Sequence, residues 1–317
     1  MKRLVAIVLL LCAVWPAGAA EKHSEAYWDE LIATSQRAIL KDPQSAIAHY
    51  NLAVGYIEKG QAAVAVKAFH KAHRLDRNDP YALGGLGSAY RMTGRPKLAV
   101  RAFKQALKLK PDFAKAHGNL GVVYIDQGRL DQAIRSLGRA IALKPDDAMF
   151  HDNLGVALLH KGSIKASIAA FKASIAVDSD YANAHHGLGV AYIEAGRLED
   201  AADALEESIR LDWDQAKVHY NLGVVHQLQG DAGAAGVAYR EAARLDPDYA
   251  RTQATDEDST AKRTAEAPKA SLRCPTPCPY QPKASIRCPT PCPWQPKASI
   301  RCPIPCPWQP KATQGDD

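Results

Sequence analysis

The chain is 317 residues long, 47% hydrophobic and 23% charged, with a formal net charge of +6, and its length alone would allow about two ordinary domains. The charge is unevenly placed: Lys2 and Arg3 open the chain, ten Lys/Arg face six Asp/Glu from Ala250 onward, and the stretch between is neutral. That body lacks the basic face expected of a folded nucleic-acid binder, so no nucleic-acid partner is expected.

After Lys2 and Arg3 come an apolar stretch from Leu4 to Trp15 and the small-residue run Pro16, Ala17, Gly18, Ala19 and Ala20, ahead of the polar Glu21. A positive start, a short apolar middle and a small-residue cleavage site read as a secretory signal peptide over 1–20, cut after Ala19 or Ala20. An apolar run of about a dozen residues is short of the roughly 20 that a spanning helix needs. Cys12 follows leucines inside that run, which argues against lipidation there. The expectation is an exported protein, periplasmic or extracellular, with no membrane span after cleavage.

Residues 21–45 hold one expected helix, over 24–41, whose Tyr27, Leu31, Ala38 and Ile39 suit it to cover the open end of a helical stack beginning at residue 46. From that residue a period of 34 takes over. Glycine recurs at Gly60, Gly94, Gly128, Gly162, Gly196 and Gly230, and leucine at Leu52, Leu86, Leu120, Leu154, Leu188 and Leu222. A small residue follows each leucine, from Ala53 and Gly87 to Gly223. After each turn glycine come a small residue, such as Ala133, and a bulky one: Phe69, Phe103, Leu137, Phe171, Leu205 and Tyr239. Within one unit, Ala116, Leu120, Val123 and Tyr124 form a stripe at helical spacing. Gly128 then ends that helix, and a second runs from about Leu130 to Leu143 before Pro145. One hairpin cannot bury its own apolar face, but stacked neighbours can.

The pattern resembles the tetratricopeptide repeat (TPR) family over residues 46–249, in units 46–79, 80–113, 114–147, 148–181, 182–215 and 216–249. The expected fold is all-α: a right-handed superhelical solenoid of six helix-turn-helix units behind an N-terminal capping helix. The last unit carries Gly233 and Gly236 in its second helix, each costing about 1 kcal/mol against alanine, and no apolar period comes after it. This end is expected to fray or to be capped by a partner, end-to-end self-association included.

The resemblance implies that first helices line a concave groove that takes a peptide or protein. Candidate lining residues are Tyr50, Asn51, Val54 and Ile57 in the first unit, Arg91 in the second, and Lys115, Asn119 and Val122 in the third. Asp152 and Asn153 follow in the fourth, His186 and Val190 in the fifth, and Lys217, Tyr220, Asn221 and Val224 in the sixth. Asn51, Asn119, Asn153 and Asn221 are similar to the asparagine ladder of O-linked N-acetylglucosamine transferases, where such side chains hold a peptide backbone; a carboxamide offers both donor and acceptor. Generic helix-surface polarity is the plainer account, Gly85 and Gly187 break the ladder, and no glycosyltransferase domain follows. With groove helices about 8–10 Å apart, six give a groove on the order of 50 Å, which about 15 extended residues would cross.

No motif of hydrolytic, phosphate-binding or zinc-protease chemistry is present, and a non-enzymatic scaffold is expected. His49, His117, His151, His185 and His219 recur at one phase. Ligands of one metal must lie about 2 Å from it, so histidines a repeat apart read as packing residues. His70 and His73 could chelate only weakly without a third ligand.

A polar linker, 250–268, leads to a tail, 269–317, read as disordered for its proline density. Three fourteen-residue repeats, the first KASLRCPTPCPYQP, hold Cys274, Cys278, Cys288, Cys292, Cys302 and Cys306. Disulfides suit an oxidising compartment, within or between chains. As a second reading, paired thiolates would suit copper(I) or zinc, and a Cys-Pro dipeptide can present an axial thiolate to haem; no other cofactor is in prospect. Adhesion through Tyr280, Trp294, Trp308 and the basic residues is the third reading. A metal- or haem-handling protein working through this tail is the rival to the scaffold.

Overall fold

A computed structural model describes residues 25–249. The expected signal peptide, and the tail with its six cysteines, lie outside the described residues. Among the described residues there are thirteen helices and no strand. After α1 (Glu25–Lys41) come six hairpins: α2 (Ala46–Glu58) with α3 (Ala62–Leu75), α4 (Pro80–Met92) with α5 (Pro96–Leu109), and α6 (Ala114–Asp126) with α7 (Leu130–Leu143). Then come α8 (Ala148–His160) with α9 (Ile164–Val177), α10 (Ala182–Glu194) with α11 (Leu198–Leu211), and α12 (Ala216–Gln229) with α13 (Ala232–Leu245).

Each hairpin turns at its periodic glycine, where φ lies between 68° and 85°. A Cβ there would meet nothing within 4 Å, so the left-handed backbone, not crowding, demands glycine. At Gly128 the turn is tied by its own amide donating to the Ile125 carbonyl at 2.8 Å, and by the Arg129 amide donating to the Tyr124 carbonyl at 2.8 Å. These bonds satisfy carbonyls that the end of α6 would otherwise leave open.

Between the two helices of a hairpin the crowding is real. Phe171 of α9 is fully buried, and its ring lies between Gly155 of α8 and Gly187 of α10. A Cβ on Gly155 would stand 2.7 Å from the ring, and one on Gly187 would overlap it. Leu137 and Leu205 press on Gly121 and Gly189 in the same way: a Cβ on those glycines would stand 2.6 and 2.7 Å from the leucine side chains. In two hairpins a buried serine replaces the alanine of the others and gains a bond: Ser174 Oγ donates to the Ala148 carbonyl at 2.7 Å and Ser208 Oγ to that of Ala182 at 2.9 Å.

The recurring histidines do more than pack. Nε2 of His49, His117, His151, His185 and His219 lies 2.8–3.2 Å from the carbonyl six residues back, at Pro43, Pro111, Pro145, Ser179 and Trp213. A carbonyl only accepts, so Nε2 carries the proton and clasps the turn between repeats. His70 is turned to the Tyr90 hydroxyl, 2.6 Å from its Nε2. Among the described residues no three His, Cys, Asp or Glu side chains converge on a site for one metal ion.

Successive first helices touch, α2 with α4 and onward to α10 with α12, whereas successive second helices make no comparable contact among the described residues. The first helices therefore hold the inside of the curve. At the N-terminal end α1 packs on α2, with Ile32 against Gly55 and Lys59 Nζ 3.0 Å from Asp29 Oδ1. Its inner face is set by Trp28, Ile32, Ser35 and Ile39, with Tyr27 and Leu31 beside them; Ala38, expected on that face, is exposed, lying about 60° round the helix from the buried Ser35 on the side away from Ile32 and Ile39. At the other end Trp213, Leu228 and Val237 are exposed. Here α11, α12 and α13 enclose an open depression of about 910 Å³ with Ile209, Leu222, Ala234, Val237 and Ala238 in its wall. Gly236 stands beside it where earlier hairpins carry Val66, Val100, Ile134, Ile168 and Ala202.

This packing yields two expected outcomes. Gly155→Ala should lower stability by about 1–3 kcal/mol in urea unfolding, whereas Gly138→Ala, where a Cβ meets nothing within 4 Å, should be neutral or stabilising by up to about 1 kcal/mol. In hydrogen exchange the amides of α13 should lose protection before those of α7.

Candidate functional site

On the inner side a cavity of about 510 Å³ draws its walls from α4, α6, α8, α10 and α12. Eight of the sixteen expected groove residues line it: Arg91, Asn119, Val122, Asp152, Asn153, His186, Val190 and Lys217. The others are placed differently. Tyr50 meets Phe69 edge-on at 5.6 Å, and Val54 and Ile57 pack with it on the core. Tyr220 lies 5.4 Å from both Tyr239 and Tyr249. Asn51, Lys115, Asn221 and Val224 are half-buried outside this cavity.

Met149, Val156, Tyr181 and Asn183 also line the cavity and were not singled out in the sequence. Three of them had a signal. Val156 shares its repeat position with Val122 and Val190, and Met149 and Asn183 share theirs with Lys115 and Lys217. Tyr181 precedes α10, so no helical period marked it.

The asparagines do not act alike. Asn119 Nδ2 donates to Ser88 Oγ at 3.3 Å, and Asn221 Nδ2 donates to His186 Nε2 at 2.9 Å. No intrachain hydrogen bond to the Asn153 carboxamide is present among the described residues, so both its donor and its acceptor are available. The gaps at Gly85 and Gly187 have a packing cause: a Cβ at either place would overlap the ring of Phe69 or Phe171.

The electrostatics centre on Asp152, which is 8% exposed. Burial pushes its carboxyl up to about 7, with Lys217 pulling the other way. Burial also pushes the His186 imidazole down to about 4, Lys217 adding to the effect; the neutral ring is the form that can accept from Asn221. The Tyr181 hydroxyl is pushed up to about 12 by burial, with Asp152 contributing. Lys217 Nζ reaches Asn183 Oδ1 at 3.5 Å, and Arg91 Nη1 lies 3.6 Å from Asp126 Oδ2. Outside the cavity, burial and the neighbouring Lys144 bring the Lys115 amine down to about 8. Donors and acceptors on valine-lined walls are what holding a chain requires.

Profiles described as tetratricopeptide repeat match residues 44–112, 90–154 and 216–249, and one described as TPR repeat matches 190–230. No curated protein matches the chain in sequence. Among solved structures the APC/C hetero-tetramer Cut9-Hcn1 is 21% identical with a TM-score of 0.64, over 72% of this chain and 44% of that one. This chain thus spans less than half the length of that relative. Pseudomonas aeruginosa pilF is 20% identical with a TM-score of 0.58, over 66% of this chain and 97% of its own. PilW, a type IV pilus biogenesis factor, is 21% identical with a TM-score of 0.59, over 64% and 94%. At such identities the likeness is one of fold.

Because the Asp152 carboxyl is raised from 3.8 to about 7, the folded state holds a proton there that the unfolded state has already lost. Its cost to stability is absent below pH 3.8, grows as pH rises to about 7 and is constant above. Asp152→Asn removes that dependence. In urea unfolding the variant should gain on the parent between pH 5 and pH 8, and a constant difference would refute the assignment.

Proposed function

The chain belongs to the tetratricopeptide repeat family, and on that premise we propose that it is an exported, non-enzymatic scaffold whose groove holds a peptide or an extended segment of a protein partner. The observation that carries the reading is the convergence of eight expected groove residues, from five first helices, on one cavity. Valines at Val122, Val156 and Val190 supply contact area along it, and the Asn153 carboxamide offers a main chain both of its groups. No described helix is long and apolar enough to cross a membrane. Export rests on the composition of residues 1–20, and the six tail cysteines would then enter an oxidising compartment, where they serve as a crosslinking or ligand-binding appendage.

A displayed library of random 15-residue peptides, panned against the chain lacking residues 1–20, tests the groove. Retained peptides should compete for one site per chain. The double change Asn119→Ala and Asn153→Ala should weaken them about tenfold, the worth of one or two hydrogen bonds, while Lys165→Ala on the exposed face of α9 should not. Peptides indifferent to the asparagine pair would overturn the reading.

A further inference from the structure

Asp152 is, among the described residues, the one carboxylate in the wall of the inner cavity. It is 8% exposed, and neither of its oxygens takes part in a hydrogen bond or ion pair among the described residues. Carboxylates so buried are ordinarily paired or hydrogen-bonded. Two other buried or half-buried acids show the usual outcome: Asp147 receives Lys144 on Oδ2 at 3.0 Å, and Asp79 caps α4 through the amides of Tyr81 and Ala82.

The groups that face Asp152 do not supply a partner. Lys217, from α12, is directed to Asn183 Oδ1. His186, from α10, is an acceptor for Asn221 and carries no charge to offer. Arg91, from α4, pairs with Asp126, and Tyr181 stands before α10. From α6 the wall receives the uncharged Asn119 and Val122. The unmet need is for a donor carrying positive charge. A lysine or arginine meets it with an apolar stem that can lie along Val122, Val156 and Val190 while its head reaches the acid. The cavity of about 510 Å³ has room for such a side chain.

We propose that the cavity at Asp152 is a subsite for one cationic side chain, arginine above all, of the segment lying in the groove. Arginine is favoured because its planar fork can bond both carboxylate oxygens at once. The subsite deepens the groove reading and rests on it. The cation takes the ionised acid, so a proton leaves to solvent on binding wherever the empty site holds one.

The probe is N-acetyl-arginine methylamide, set against its neutral citrulline counterpart and against N-acetyl-glutamate methylamide, in a chemical-shift titration of the chain lacking residues 1–20. At pH 8 the arginine probe should bind about tenfold or more tightly than the citrulline one, and Asp152→Asn should abolish that preference. Its affinity should fall about tenfold per pH unit below the Asp152 value of about 7. Lys217→Met, a change at an exposed residue, should tighten arginine several-fold by removing a competing cation. Equal binding of arginine and citrulline, persistence of the preference in Asp152→Asn, or a preference for glutamate overturns the proposal. Peptides retained by the groove without any preference for arginine would defeat the subsite and leave the groove standing. An Asp152-dependent arginine site in a chain that retains no peptide would do the reverse.

Discussion

A bulky side chain pressed on a glycine, repeated from hairpin to hairpin, determines how closely the two helices of each unit approach. Phe171 against Gly155, Leu137 against Gly121 and Leu205 against Gly189 are contacts that no Cβ could share. Because the same side chain can also lean on the next first helix, as Phe171 does on Gly187, one contact joins a hairpin internally and to its neighbour. The buried residues that result form continuous clusters running across repeats. Burial of this kind, and not the helix propensity of thirteen- or fourteen-residue segments, is what makes such short helices stable.

The same closeness generates the curve. First helices touch their successors while second helices stand apart, and a stack tighter on one side bends toward it. The inner side then brings Arg91, Asp152 and Lys217, carried by three different repeats, to one cavity. A mixture of charges that looks unremarkable along the chain becomes specific only when the stack is wound. Asp152 illustrates the point, since its burial is the work of other helices.

The period of glycines and leucines made the six hairpins readable, because a left-handed turn and a helix stripe each demand particular residues at particular spacing. The inner cavity was readable in part. Repeat position tells which side chains can face inward, and it led to Asn119, Asp152 and His186. It also named Tyr50, Val54 and Ile57, which pack on the core of the first hairpin and lie outside that cavity. It passed over Tyr181, which belongs to a turn, and took the clasping histidines for packing, because their partners are backbone carbonyls that no composition reveals.

Those imidazole clasps have a consequence for how one unit is handed on to the next. Each ties a first helix to the carbonyl of the turn six residues before it, so the angle at which a hairpin enters the stack is held by a side chain of its own first helix as well as by its neighbour. Leu83 takes that place in the second unit, and the joint between the first and second hairpins does without the tie. The stack is therefore jointed unevenly: five of its entries are pinned by a ring, and one is not.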